Sequence, residues 1–111
     1  MTLDEQLVDR IRALLAGEHN LTERRMFGGV AFMVDGNMAV VASGRGGCMV
    51  RAGDRASALL ASSPAEQMLM RGRPMTGWVT IAGAHLESDD ALGDWVDVGL
   101  EFARTLPPKS P

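Results

Sequence analysis

The sequence is poor in the side chains from which most catalytic and metal sites are built. Its 111 residues include one cysteine, two histidines and no tyrosine. His19 and His85 lie in predicted loops, and neither has a histidine, cysteine or carboxylate partner at metal-ligand spacing. Cys48 stands in a predicted strand with no base beside it, which favours a buried thiol over a nucleophile. We therefore predict a domain with no catalytic residues, no cofactor and no metal.

Long apolar runs and disulfides are also lacking. No apolar run approaches the ~20 residues that a membrane-spanning helix needs. The N-terminal residues are acidic and polar, unlike a secretion leader. A single cysteine cannot form an intramolecular disulfide, which is typical of a reducing compartment. These absences predict a cytoplasmic protein without a membrane partner, and the length predicts a single domain over residues 1–111.

Positive charge is in deficit, and almost all of it is arginine. The net charge is −3, which argues against nucleic-acid binding by charge alone. If the first strand approached the segment Arg71–Met75, four arginines could form an anion-binding patch, namely Arg24, Arg25, Arg71 and Arg73. A scattered, solvated surface is the interpretation we favour. Direct nucleic-acid binding through such a patch stays as an alternative.

Turn and helix signals predict the order of the elements. Thr2 and Glu5 form a capping box for a first helix. Asp35-Gly36 stands between two apolar runs and predicts a hairpin, because both turn positions need a positive φ. Asp54 could cap a short helix, and Ser88 begins a long amphipathic one.

The remaining apolar runs predict strands. A short strand could run from Thr22 to Phe27, and others follow over 30–34, 37–41, 48–51, 67–70 and 78–81. The five strands from 30–34 onward are the main ones. We predict an α+β fold with a mostly antiparallel five-stranded sheet, helices packed on one face, and the order α-β-β-β-α-β-β-α.

Methionine is abundant, with eight residues. Seven fall in or near the predicted strands, and flexible methionine side chains occur both in cores and on adaptable binding surfaces. We assign most of them to the core, and Met26 and Met75 to an exposed groove. A pocket beside Arg51, Met75 and Trp78 would indicate a small-molecule site.

Four segments, in order along the chain, resemble the N-terminal domain of the TfoX/Sxy family. They are Arg24–Ala39, Met49–Arg51, Gly72–Trp78 and Leu92–Pro108. The resemblance covers nearly the whole chain. It implies a fold similar to secretion chaperones and a role in regulating bacterial competence, in transcriptional activation through other proteins. It supplies no catalytic residues. Longer members carry a second helical domain at the C-terminus. This sequence stops at Pro111 without one, so we expect a stand-alone N-terminal domain here.

The function predicted from these observations is a non-enzymatic regulatory or protein-interaction domain. A protein partner is expected, and a homodimer is also plausible because helices on one side leave the other sheet face to cover. Nucleic-acid binding and small-molecule binding are the alternatives. The predicted interaction surface comprises Arg24, Arg25, Met26, Arg71, Arg73, Met75 and Trp78.

Overall fold

The computed structural model describes residues 5–26, 28–44 and 46–109. Within them lie three α-helices: α1 (Glu5–Leu14), α2 (Ala56–Ser62) and α3 (Asp89–Arg104). None of these helices has the length and hydrophobicity needed to span a bilayer. The strands are β1 (Leu21–Met26), β2 (Gly29–Val34), β3 (Asn37–Ser43), β4 (Gly47–Arg51), β5 (Glu66–Met70) and β6 (Arg73–Ala82).

The strands form one antiparallel sheet in the order β1-β2-β3-β4-β6-β5. The predicted α+β class and element packing are confirmed, but the described sheet has six strands instead of five. The additional strand is β1, which corresponds to the short strand considered over Thr22–Phe27 but not counted among the five, so the order is α-β-β-β-β-α-β-β-α. Because β1 lies at an edge with its four central side chains exposed, its sequence lacks the apolar alternation that marks a strand.

The core lies between the helices and one face of the sheet. Alternate residues of the central strands, such as Phe32, Val40 and Val50, are fully buried against the apolar stripes of α1 and α3. The short α2 packs beside β6 and adds Leu59 to the same cluster. We call this the helix-covered face.

Helix α3 approaches the sheet closely. The helix begins after Ser88 as predicted, and the Ser88 side-chain oxygen caps it by accepting a hydrogen bond from the Ala91 N–H at 3.0 Å. At Gly99 the helix lies so near β3 that a side-chain carbon would collide with the Ala39 carbonyl. Glycine at this position therefore sets the distance between helix and sheet.

The predicted turns and caps have mixed outcomes. The β2–β3 hairpin turns at Asp35 and Gly36, both with positive φ, which confirms the prediction. The predicted cap at Asp54 is wrong, because a 3-10 helix spans Gly53–Arg55 and no side chain caps α2. The Thr2–Glu5 capping box includes a residue outside the described part of the chain.

The close packing at Gly99 predicts opposite effects for two identical substitutions in α3. Gly99→Ala forces the helix away from β3, and we expect it to lower the free energy of unfolding by about 1–3 kcal/mol. At Gly93 an added carbon meets only Leu14 Cδ2 at 3.8 Å. Gly93→Ala should therefore raise stability by up to about 1 kcal/mol through helix propensity. Urea unfolding compares the two, and stabilisation by both would contradict this packing.

Burial predicts an inert cysteine. Cys48 lies in β4 on the helix-covered face, and removal from water raises the pKa of its thiol to about 12, although the charge of Arg10 opposes the shift. Almost no thiolate exists at pH 8, so native protein should react with iodoacetamide at least about a hundredfold more slowly than protein in urea. Comparable rates in both conditions would show that Cys48 is accessible.

Candidate functional site

The sheet face opposite the helices carries a pocket. Residues that alternate with the core positions point to this face, among them Val41 in β3 and Met49 in β4, which lie opposite one another. Val41 is buried although it belongs to neither cluster of the helix-covered core. Val41 is therefore buried on the face opposite the helix-covered core, where it lines the pocket.

Methionine dominates the lining of this pocket, which we call the methionine pocket. Six methionines from five strands contribute, together with two cationic side chains and one indole. The pocket has a volume of about 220 Å³ and is lined by Met33, Gly36, Met38, Val41, Met49, Arg51, Met68, Met70, Met75, Trp78 and Lys109. Strands β2 and β5 stand four strand spacings apart in the sheet, so the face that brings their methionines together is concave.

Arg51, at the end of β4, is the most distinctive charged group of the pocket. Its guanidinium carbon lies 5.9 Å from the centre of the Trp78 ring and 5.5 Å from that of Phe102. Both distances are within the range of cation–π attraction. Within the described residues, no carboxylate or carbonyl oxygen accepts a hydrogen bond from this guanidinium.

Backbone geometry at two glycines brings the two rings to Arg51. Gly77 interrupts β6 with a φ of +86°, and its carbonyl accepts a hydrogen bond from the Ala52 N–H at 2.7 Å. Gly53 has a φ of +61°, and a side-chain carbon there would collide with the Phe102 ring. Gly53 and Gly77 carry no side chain, and this leaves room for Trp78 from the sheet and Phe102 from α3 to reach Arg51.

The segment after α3 forms part of the pocket rim. The Lys109 N–H donates to the Asp35 carbonyl at 2.7 Å, and the amide of buried Asn37 donates to the Pro107 carbonyl at 3.0 Å. Arg104 pairs with Asp35 at 3.3 Å and with Glu18 at 2.8 Å. These bonds hold the segment against the β2–β3 turn, which explains why Lys109 lines the pocket.

The structure brings together three of the residues singled out in the sequence. Arg51, Met75 and Trp78 line one pocket, which is the arrangement that a small-molecule site requires. Met26 ends strand β1 and is not among the residues that line it. The predicted interaction surface is therefore divided between residues that line the pocket, such as Met75 and Trp78, and residues outside it, such as Met26.

The four predicted arginines lie at two corners of the sheet. The strand register carries the row of Arg25 across the sheet to Ile81, and Arg73 lies eight residues before Ile81 on β6. At about 3.3 Å per residue this separates the rows by roughly 26 Å. Arg24 and Arg25 are thus far from Arg71 and Arg73, and the two pairs do not form one patch. Arg25 lies 3.9 Å from Glu5 on α1.

Sequence reasoning missed most of the pocket methionines. It assigned Met33 and Met49 to the core, whereas both line the pocket. The signal was present in the alternation along the strands, since Met49 stands between Cys48 and Val50, which both face the helices. The alternation thus assigns the residues to two opposite faces of the sheet, but it does not show which face the helices cover.

The side chains that line the pocket are apolar or cationic. Its described lining contains no carboxylate, histidine, hydroxyl or thiol that could act as a base or nucleophile. No group of three or more metal-binding side chains occurs among the described residues. What the pocket offers is adaptable apolar surface and one guanidinium whose donors no described residue uses.

Comparison with known proteins agrees with the sequence motifs. A search of curated proteins found no match to this chain. The model of the TfoX N-terminal domain family matches residues 13–103, a range that includes β1 to β6, α2 and nearly all of α3. The chain therefore belongs to the TfoX N-terminal domain family.

Proposed function

We propose that this chain is a non-enzymatic interaction domain that binds a segment of a partner protein in the methionine pocket. The observation that carries the proposal is the convergence of six methionines on the sheet face that the described helices leave open. A regulatory role through protein partners, of the kind that the family resemblance implies, is consistent with such a site.

Methionine suits a surface that receives an apolar partner. Its unbranched, polarisable side chain can change rotamer at little cost and can follow the shape of what it contacts. Among the six pocket methionines Met68 is buried and the other five are partly exposed. A partner side chain would therefore remove apolar surface from water, which is the main source of affinity in such contacts.

The size and charge of the pocket favour a protein segment as the occupant. A water molecule takes about 30 Å³ of liquid, so 220 Å³ corresponds to about seven waters, which is room enough for one large apolar side chain. Pockets for drug-sized molecules are usually about 300–1,000 Å³. Both charged residues of the lining, Arg51 and Lys109, are cationic, and this complements a neutral or acidic segment.

Direct nucleic-acid binding receives less support. It requires several arginines on one surface, whereas Arg24 and Arg25 stand at one corner of the sheet and Arg71 and Arg73 at another. The exposed face of α3 adds acidic residues, including Asp90, Asp94 and Asp97. Phosphate groups would be repelled from that side.

A charge placed in the pocket should abolish partner binding. We expect Met49→Glu or Met75→Glu, each used as bait in a nuclease-treated lysate, to capture at least about tenfold less of a specific partner. The carboxylate removes apolar contact surface, resists desolvation and can itself occupy the cationic groups of the pocket. Leu69→Glu is the matched control, since Leu69 is a neighbouring hydrophobic residue with 61% exposure outside the pocket. Capture is measured by quantitative mass spectrometry.

The outcome is decided by the difference between baits. Proteins retained by the wild type and by Leu69→Glu, but lost from both pocket variants with native circular dichroism, support the proposal. An identical set from all four baits, including an empty one, contradicts it. A second copy of the chain recovered with the same pattern would identify a homodimer and would contradict a separate partner.

A further inference from the structure

Among the described residues, the guanidinium of Arg51 has no hydrogen-bonding partner, and this indicates what lies beside the apolar group in the pocket. Arg51 is partly buried, lines the methionine pocket and is held between two aromatic rings. Other arginines that reach across the structure have acidic partners: Arg10 binds Asp89 and Arg104 binds Glu18 and Asp35. Arg51 differs because its hydrogen-bond donors are oriented yet unused by the described residues.

A carboxylate is the group that this arrangement fits. A guanidinium presents a planar fork of N–H donors that matches the two oxygens of a carboxylate. The rings of Trp78 and Phe102 restrict its movement, so less side-chain entropy is lost when the anion binds. Lys109 on the same lining adds positive charge, and no described acidic residue of the pocket competes for either cation.

We propose that the segment bound in the methionine pocket carries an apolar side chain next to a carboxylate, and that Arg51 forms a bidentate pair with that carboxylate. This inference rests on the proposed function, since it specifies the chemistry of the partner segment. It makes Arg51 the residue that determines specificity, while the methionines supply contact area.

The test uses matched dipeptides and the methyl groups of the methionines as reporters. Acetyl-Leu-Glu-amide and acetyl-Leu-Gln-amide differ only in the charged group, and each is titrated into protein labelled with ¹³C at the methionine methyls. We expect the Glu peptide to shift the pocket methyls and to bind at least about tenfold more tightly than the Gln peptide. Raising the salt concentration should reduce this preference.

Two arginine variants locate the effect. In Arg51→Met, which keeps the length and apolar stem of the side chain, the preference for Glu over Gln should fall below about twofold. Arg73→Met is the matched control, because Arg73 is exposed on β6 outside the pocket lining and should leave the preference unchanged. A loss in both variants would indicate general electrostatic attraction and would overturn the role of Arg51.

The remaining outcomes separate the two proposals. Equal binding of both peptides by the wild type overturns the carboxylate inference but leaves the apolar pocket intact as an interaction site. No shift of any pocket methyl with either peptide overturns both. Octanoate, a free carboxylate with an apolar chain, is the third probe. If it alone shifts these methyls, the ligand is a small acid and the commitment to a partner segment is wrong. If Arg51→Met does not fold, the Glu-to-Gln ratio and its salt dependence in the wild type decide.

Discussion

One-sided coverage of the sheet is the constraint from which the rest of the structure follows. Helices α1 and α3 bury one face, and Gly99 lets α3 lie directly against the backbone of β3. A six-stranded sheet has two faces, and antiparallel sheets tolerate water on one of them only when that face is polar. Here the second face carries Val41 and several methionines instead. It must therefore shield apolar groups without the help of a described helix.

The methionine pocket is the consequence of that constraint. Val41 is buried on this face, and the long side chains of six methionines from five strands line the pocket beside it, five of them partly exposed. Beta-branched residues could not extend so far, and aromatic residues would be less adaptable. The same flexibility that closes the face in the free protein leaves it able to reopen around a partner. Arg51 differs from the methionines, because its guanidinium lies within cation–π distance of both the Trp78 and the Phe102 ring.

Much of the fold could be predicted from the sequence because it is encoded locally. The Asp35-Gly36 turn and the Ser88 cap depend on a few neighbouring residues, and both are present. Strand β1 was harder to predict, since an exposed edge strand has no apolar alternation. The cap expected at Asp54 failed because Gly53 starts a 3-10 turn before α2.

The site was less predictable, because it depends on which strands lie next to each other. Strand β6 inserts between β4 and β5, and this order places Trp78 opposite Arg51 and brings Met75 to the pocket that Met49 also lines. The group of Arg51, Met75 and Trp78 was anticipated as one possible pocket, whereas the four arginines were separated by the same strand order. Phe102 joins the site from α3 through contacts that no spacing in the sequence indicates.

The most direct test of this account is a methyl–methyl nuclear Overhauser experiment on the free protein, with ¹³C-labelled methionine methyls. The account predicts cross-peaks that link Met33 or Met38 on β2 and β3 to Met70 or Met75 on β5 and β6, because all four line one pocket. Cross-peaks confined to methionines of adjacent strands would mean that the face is flat and open, and would contradict both the pocket and the function proposed for it.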